Sequence, residues 1–444
     1  MLWLPRRTAM RRVLSIATLL TAFLLIYLPD LGHGFIKDDF AWISRAREAR
    51  DVWGIARFFS TNVGFYRPVV MVSFWIDHAV HGLDPFGYGL TNLAMLLLAC
   101  GSLFILVRAL GLHADAAIVA VTVWAFNFHA VNMAVLWISG RTALLMCLFA
   151  LMALTAFLRG RWLMAGGLCF AAMLSKEEAV CLPMLFTVVA LSDRERGGIA
   201  ARVWPAWTAL AAYAILRLHS GAFGAASAPD YYQFTTDPSL LLRNVFEYLD
   251  RGATVAVGVC LLMAMVAPFP ARMLTACRPA ISVAVGWFVG FYAITLFLPV
   301  RSDLYALAPS VGSAIIAGCV ADCARQAHPH RFRAVATALV LVALAAVPVF
   351  RARNQRWVRP ADLTSNVLRT IANQTLAEPP REIVLIDDPN ARTTLDSGFG
   401  SLLPDAIRLV KGDQWHGTIR EGSDSDSGEA LTFALAGNGL RRLL

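Results

Sequence analysis

Residues 12–43 read RVLSIATLLTAFLLIYLPDLGHGFIKDDFAWI. The first part, 12–29, is predominantly apolar and long enough for a membrane helix, which needs about 20 such residues. The chain then turns polar. Gly34-Phe35-Ile36-Lys37-Asp38-Asp39-Phe40-Ala41-Trp42-Ile43 sets two adjacent carboxylates at the edge of the hydrocarbon. Ionisable groups are costly to hold there, which makes Asp38 and Asp39 functional candidates. As solvated loop acids they would instead cap the helix that begins near Phe40. The basic start (Arg6, Arg7, Arg11, Arg12) and the lack of a small-residue cleavage site mark a retained first helix, not a removed signal peptide.

The rest of the chain is of the same kind. Of its 444 residues, 58% are hydrophobic and 16% charged, too apolar for a soluble globular protein. Eleven spans are expected, at 12–29, 87–107, 115–130, 141–158, 162–175, 178–192, 203–219, 252–268, 280–299, 303–320 and 334–350. In such a protein the net charge of +9 reports cytoplasmic loops, not nucleic-acid binding. The eight cysteines form no C-x-x-C pair and lie in apolar segments or inner loops, so neither disulfides nor a zinc site are expected.

Loop charge sets the orientation. The N-terminal arginines and Arg108, Arg159, Arg161, Arg194, Arg196, Arg202, Arg272, Arg278, Arg325, Arg331 and Arg333 fall on one side, taken as the cytoplasm. Asp38, Asp39, the hairpin 131–140, Lys176, the loop 220–250, Arg301 and everything after 351 then lie outside. In the first outer loop, Ser44–Phe59 has helical apolar spacing and reads as an interfacial helix, as does the short run Val69–Val80. Leu240–Tyr248 repeats the pattern before the eighth span. The polar tail, with a strand expected at Glu382–Ile386, the turn Asp387-Asp388-Pro389-Asn390 and a Ser-Asp run at 423–427, is long enough for a small domain. The expected division is 1–350 and 351–444, and no tetratricopeptide period is present.

Several polar groups collect in the outer loops: Arg67, His129, Arg141, Lys176-Glu177, and Arg301-Ser302-Asp303-Leu304-Tyr305. Outer basic residues run against the loop bias and suit a bound anion. A carboxylate among them is what a transferase acting on a lipid-linked phosphate needs. The acid takes a proton from the acceptor, and the cations hold the leaving phosphate. Simpler readings exist for each. Arg67 and Arg141 can snorkel or pair with acids, Lys176 can pair with Glu177, and Arg301 with Asp303. Asp77 reads as structural, and neither His129 nor the pair His78 and His81 has companions at metal spacing.

Taken in order, Phe35-Ile36-Lys37-Asp38-Asp39, Tyr66-Arg67-Pro68, His81-Gly82-Leu83-Asp84-Pro85 with Asn92, Trp137-Ile138-Ser139-Gly140-Arg141, Leu174-Ser175-Lys176-Glu177 and Arg301–Gly312 form a series. Over about residues 10–350, it resembles the membrane part of the transmembrane and tetratricopeptide-repeat O-mannosyltransferases and their bacterial relatives, of the GT-C superfamily. The resemblance implies an all-α polytopic GT-C-like bundle of about 11 transmembrane helices, to which the tail would add a small α/β extracytoplasmic domain. It also implies inverting transfer of a mannose-like hexose from a polyprenyl-phosphate donor, on the outer face of the cytoplasmic membrane. Asp38 or Asp39 would match the base or acceptor-orienting acid. Arg141, Lys176, Arg301 and Tyr305 would contact the donor phosphate, and Arg67 would order the first loop or meet the acceptor, with His129 and Glu177 beside it. The hairpin His129-Ala130-Val131-Asn132-Met133 departs from the relatives by lacking their Pro and Glu. The repeats are absent too, so a lipid, a glycan or a secreted-protein segment are all open as acceptors. No dedicated ligand set for a cofactor is visible, although the acid pair could take a divalent cation with waters. A transporter or flippase of lipid-linked sugars and a non-catalytic scaffold are the other readings. The first predicts inverted repeats with sites at the bilayer midplane, and no internal symmetry is visible.

Overall fold

The structure, a computed structural model, describes residues 4–61, 64–192, 198–224, 227–373, 382–387, 393–412, 418–421, 431–436 and 439–442. Arg194, Arg196, residues 388–390 of the expected turn and the Ser-Asp run 423–427 lie outside them. The helices are α1 (Leu4–Tyr27), α2 (Asp39–Glu48), α3 (Val52–Arg57), α4 (Pro68–His81), α5 (Pro85–Ala109), α6 (Ala114–Ala125), α7 (Val131–Leu136), α8 (Arg141–Leu158), α9 (Trp162–Met173), α10 (Leu182–Ser192), α11 (Ile199–His219), α12 (Pro238–Val266), α13 (Arg278–Tyr292), α14 (Pro309–Ala327), α15 (Pro329–Ala345) and α16 (Val347–Ala372). The starts follow local chemistry. Asp84 accepts a hydrogen bond from the Phe86 amide (3.1 Å) ahead of α5, and Asp237 accepts one from Ser239 (2.9 Å) ahead of α12. Each acid is followed by a proline whose missing N–H would be unpaired there in any case.

α8 and α14 form the centre of the bundle, almost wholly enclosed by other helices. α1 and α12 turn apolar side chains such as Leu14 and Met265 outward, which lipid accepts without penalty. The chain is a multi-pass integral membrane protein. Among the described residues, seven helical segments are long and apolar enough to cross a bilayer, and the pair α15–α16, bent by 45°, makes an eighth. All eleven expected ranges fall on helices, but α6, α9 and α10 have only 12, 12 and 11 residues. They rise about 18 Å or less against a hydrocarbon thickness of about 30 Å. Short as they are, α6 and α9 return the chain to the side of Asp38, since Ser139 beyond α6 bonds Asp39 and Lys176 beyond α9 lines the same cavity as Asp38; α6 lies against α5 and α14, and α9 against α8 and α11.

Two further expectations change. The single helix expected over Ser44–Phe59 is two, α2 and α3, because Ala49 turns extended and Asp51 caps α3 through the Gly54 amide (2.7 Å). Leu240–Tyr248 is not a separate interfacial piece but the first part of α12, since no proline divides it from the span. In the tail, β1 (Glu382–Ile386) stands where a strand was expected. It pairs parallel with β2 (Thr418–Glu421) and β3 (Leu431–Ala436), and β4 (Gly439–Arg442) adds antiparallel to β3, in the order β2-β1-β3-β4. α17 (Leu395–Phe399) and α18 (Leu403–Lys411) complete it. α16 runs unbroken through residue 351 and shares one apolar cluster with this sheet and with Phe35, Phe40, Trp42 and Ile43 of the first loop.

Candidate active site

The tail grips the acid loop. The Lys37 amide donates to the Gly398 carbonyl (2.8 Å), the Thr364 hydroxyl donates to the Phe35 carbonyl (2.6 Å), and the rings of Phe40 and Phe399 stack at 5.5 Å. A side chain on Gly34 would stand 1.9 Å from Ser365 Oγ, so only glycine allows this approach. Lys37 takes φ 48°, a left-handed conformation that is unfavourable by about 1–2 kcal/mol for a residue with a side chain. The two acids after it part company. Asp39 is fully buried. Its Oδ2 accepts from the Ile36 amide (2.9 Å), and its Oδ1 accepts from the Ser139 amide (2.7 Å) and hydroxyl. Burial nevertheless pushes its carboxyl up to about 7. Asp38 reaches a cavity, and its carboxylate has no hydrogen bond or ion pair among the described residues. Enclosure raises its pKa above the usual carboxylate range, while Arg67 and Lys37 pull it back.

Ser139 is held from beneath. Asn92 Nδ2 donates to the carbonyls of Trp137 (3.3 Å) and Ile138 (3.0 Å), and Asn92 Oδ1 accepts from Arg141 Nε (3.2 Å). Arg141 is fully buried, pairs with Asp77 at 2.6 Å, and lies 4.2 Å over the Phe74 ring. The Trp-Ile-Ser-Gly-Arg turn is thus fixed by a buried polar network, and through Ser139 it fixes Asp39.

The opposite wall carries paired charges. Arg67 chelates Glu177 through Nε (3.0 Å) and Nη2 (2.6 Å). Burial works to raise Glu177, but Arg67 outweighs it and holds the carboxyl well below its usual range. Lys176, 3% exposed, pairs with Glu178 and sits 4.7 Å over the Tyr305 ring. Arg301 pairs with Glu247, which also receives Arg243 (3.0 Å) and Arg251 (3.2 Å). Asp303 belongs to Arg251 (3.3 Å), not to Arg301. The simple ion pairs Lys176–Glu177 and Arg301–Asp303 are therefore not those formed.

Asp38, Arg67, Lys176, Glu177, Arg301 and Tyr305 line one cavity of about 280 Å³. They come from loops that the arginine bias assigns to one side of the membrane. Asp39 and Arg141 lie behind its wall and His129 beside Phe128, outside it. The cavity adds Lys37, Trp137, Glu178, Tyr232 and Trp357. Trp357 belongs to α16, and the rings of Trp137 and Trp357 are parallel, 6.4 Å apart. No sequence signal ties Trp357 to the motifs. Among the described residues no three His, Cys, Asp or Glu side chains converge as a metal site. His78 instead meets the Gly82 carbonyl at 3.0 Å.

No protein-family profile matches the chain. Over 184 residues it is 29% identical to the protein O-mannosyl-transferase Tmtc1 of Drosophila melanogaster, a stretch that covers 36% of this chain and 21% of that protein. The chain thus spans about a fifth of that curated relative. The crystal structure of ArnT from Cupriavidus metallidurans in the apo state matches with a TM-score of 0.55 at 14% identity, covering 90% of this chain and 85% of that one. ArnT bound to undecaprenyl phosphate gives 0.54 at 15% identity, covering 93% and 86%. The chain has the fold of ArnT, and the GT-C-like bundle implied by the motif series is the architecture it adopts.

Proposed function

We propose that the chain is a membrane glycosyltransferase that moves a sugar, a mannose-like hexose, from a polyprenyl phosphate to an acceptor at the outer face of the cytoplasmic membrane. The observation that carries this reading is one carboxylate, Asp38, unpaired among the described residues and in the same cavity as Arg67, Lys176 and Arg301. In this reading Asp38 takes the proton of an acceptor hydroxyl as its oxygen attacks the anomeric carbon. The bond from that carbon to the phosphate oxygen breaks, with inversion. Lys176 and Arg301 stabilise the charge gathering on the departing phosphate, and Tyr305 braces Lys176. Arg67 keeps Glu177 in place and tunes Asp38. Asp39 and Arg141 are positioning residues that hold the acid loop and the turn above it. Since the oxygens of Asp39 are taken by N–H and O–H donors, Asp38 alone of that pair would meet a divalent cation. Residues after 351 act as a small extracytoplasmic domain that closes over the acid loop. Support also comes from the undecaprenyl phosphate bound to ArnT and the O-mannosyl-transferase name of the Tmtc1 relative. A lipid, a glycan and a secreted-protein segment are all candidate acceptors.

The test is transfer from a panel of undecaprenyl-phosphate sugars by the purified full chain. Asp38→Asn should slow turnover by about 10²–10⁴-fold, the usual share of a general base, with the fold retained. Full turnover in that variant would remove Asp38 as the base.

A further inference from the structure

One acid of the cavity wall has no task in this scheme. Glu178 is 5% exposed, and one of its oxygens is held by the Lys176 ammonium. The other, Oε2, is buried and meets no hydrogen-bond donor among the described residues. Its neighbour Glu177 differs, with both oxygens bound by Arg67. A second orphan stands in the same cavity: the buried indole N–H of Trp137 has no acceptor among the described residues. One group is an acceptor and the other a donor. The hydroxyls of a sugar offer both complements, and buried polar atoms gain most when such a partner arrives. Charge narrows the class. Glu178 is already neutralised by Lys176, so a sugar ammonium would meet that lysine and a sugar carboxylate would meet Glu178 itself. A neutral, polyhydroxylated sugar meets neither penalty.

We propose that Glu178, with Trp137 as the complementary donor, recognises hydroxyl groups of a neutral donor sugar and so decides which sugar the cavity accepts. This rests on the glycosyltransferase reading above. The test uses the full chain in lipid nanodiscs, with Kd measured for sugar-free undecaprenyl phosphate and for the same lipid carrying a neutral hexose, an amino sugar or a uronic acid. Wild type should prefer the neutral hexose. Glu178→Gln should weaken that donor by about tenfold or more, the loss of one charge-assisted hydrogen bond, while sugar-free lipid binds within about twofold of wild type. Trp137→Phe, which keeps the ring and removes the N–H, should lose less in the same direction. It decides the matter alone if Glu178→Gln is not recovered folded. Equal weakening for the sugar-free lipid would mean that Glu178 only steadies Lys176, and an unchanged sugar preference in both variants would mean that neither side chain reads the sugar. Either result overturns the proposal while leaving the donor site standing. Failure of wild type to bind any of these lipids would overturn the glycosyltransferase reading and this proposal with it.

Discussion

Two pairs of adjacent acids stand at the cavity, and each is divided in the same way. In the first loop, Asp39 spends its oxygens on the Ile36 amide and on Ser139, while Asp38 is left to the cavity. In the loop after α9, Glu177 is chelated by Arg67, while one oxygen of Glu178 meets no donor among the described residues. The sequence neighbours are chemically alike, so the difference comes from tertiary partners. One acid of each pair fixes a loop, and the other is available to a ligand. The two loops differ in how they are held. The acid loop is clamped by the tail and by the Asn92–Arg141–Asp77 network. The loop after α9 is held by the ion pairs of Arg67 and Lys176 and by the Val69 amide, which donates to the Leu174 carbonyl (3.3 Å).

The sharpest break in this comparison is within the first pair. Asp38→Asn should lose turnover by about 10²–10⁴-fold at little change in stability. Asp39→Asn should act on stability instead. The Asp39 carboxyl rises from 3.8 to about 7 on folding, so the fold favours its protonated form. Its contribution is full below about pH 4 and is lost as pH rises through 7. Melting of the two variants against pH separates the roles, and the larger flattening of the slope is expected in Asp39→Asn.

Next comes the support beneath the turn. Arg141→Met leaves Asp77 buried without its partner and should destabilise by about 3–5 kcal/mol, read by thermal or denaturant unfolding in detergent. A fully stable Arg141→Met that no longer bound donor would instead place Arg141 at the phosphate. Gly34→Ala forces the acid loop off Ser365 and should cost about 1–3 kcal/mol, seen as loosened protease protection of the tail. The smallest effect is a shift in pH profile. Asp38 must be ionised to act, and the Arg67 charge lowers its pKa. Arg67→Gln should therefore move the rising limb of activity to higher pH. A shift to lower pH would contradict the electrostatics of the cavity.

Much of this was legible in the residues. The acid loop, the strand Glu382–Ile386 and the long spans declare themselves, because an apolar run of about 20 residues has few other uses. α6, α9 and α10 are short for spans, and neighbouring helices cover much of α9 and α10. Composition does not distinguish burial by protein from burial by lipid. The motif series located Asp38, Lys176 and Arg301, but the inward turn of Arg141 depends on Asp77 and Asn92 from two other helices. The identity of the free acid in Glu177-Glu178 likewise depends on where Arg67 arrives, which no local pattern encodes. Trp357 was hidden because α16 carries it back to the cavity from beyond the last expected span.

The central claim is that this cavity holds a polyprenyl-phosphate sugar through Lys176 and Arg301. The most direct measurement is the Kd of undecaprenyl-phosphate sugars for wild type, Lys176→Ala and Arg301→Ala, each shown to be folded. The account predicts binding by wild type that weakens about 10–100-fold in either variant, as expected for one charge-assisted contact to phosphate. Equal affinity in all three proteins would place the donor phosphate elsewhere and contradict it.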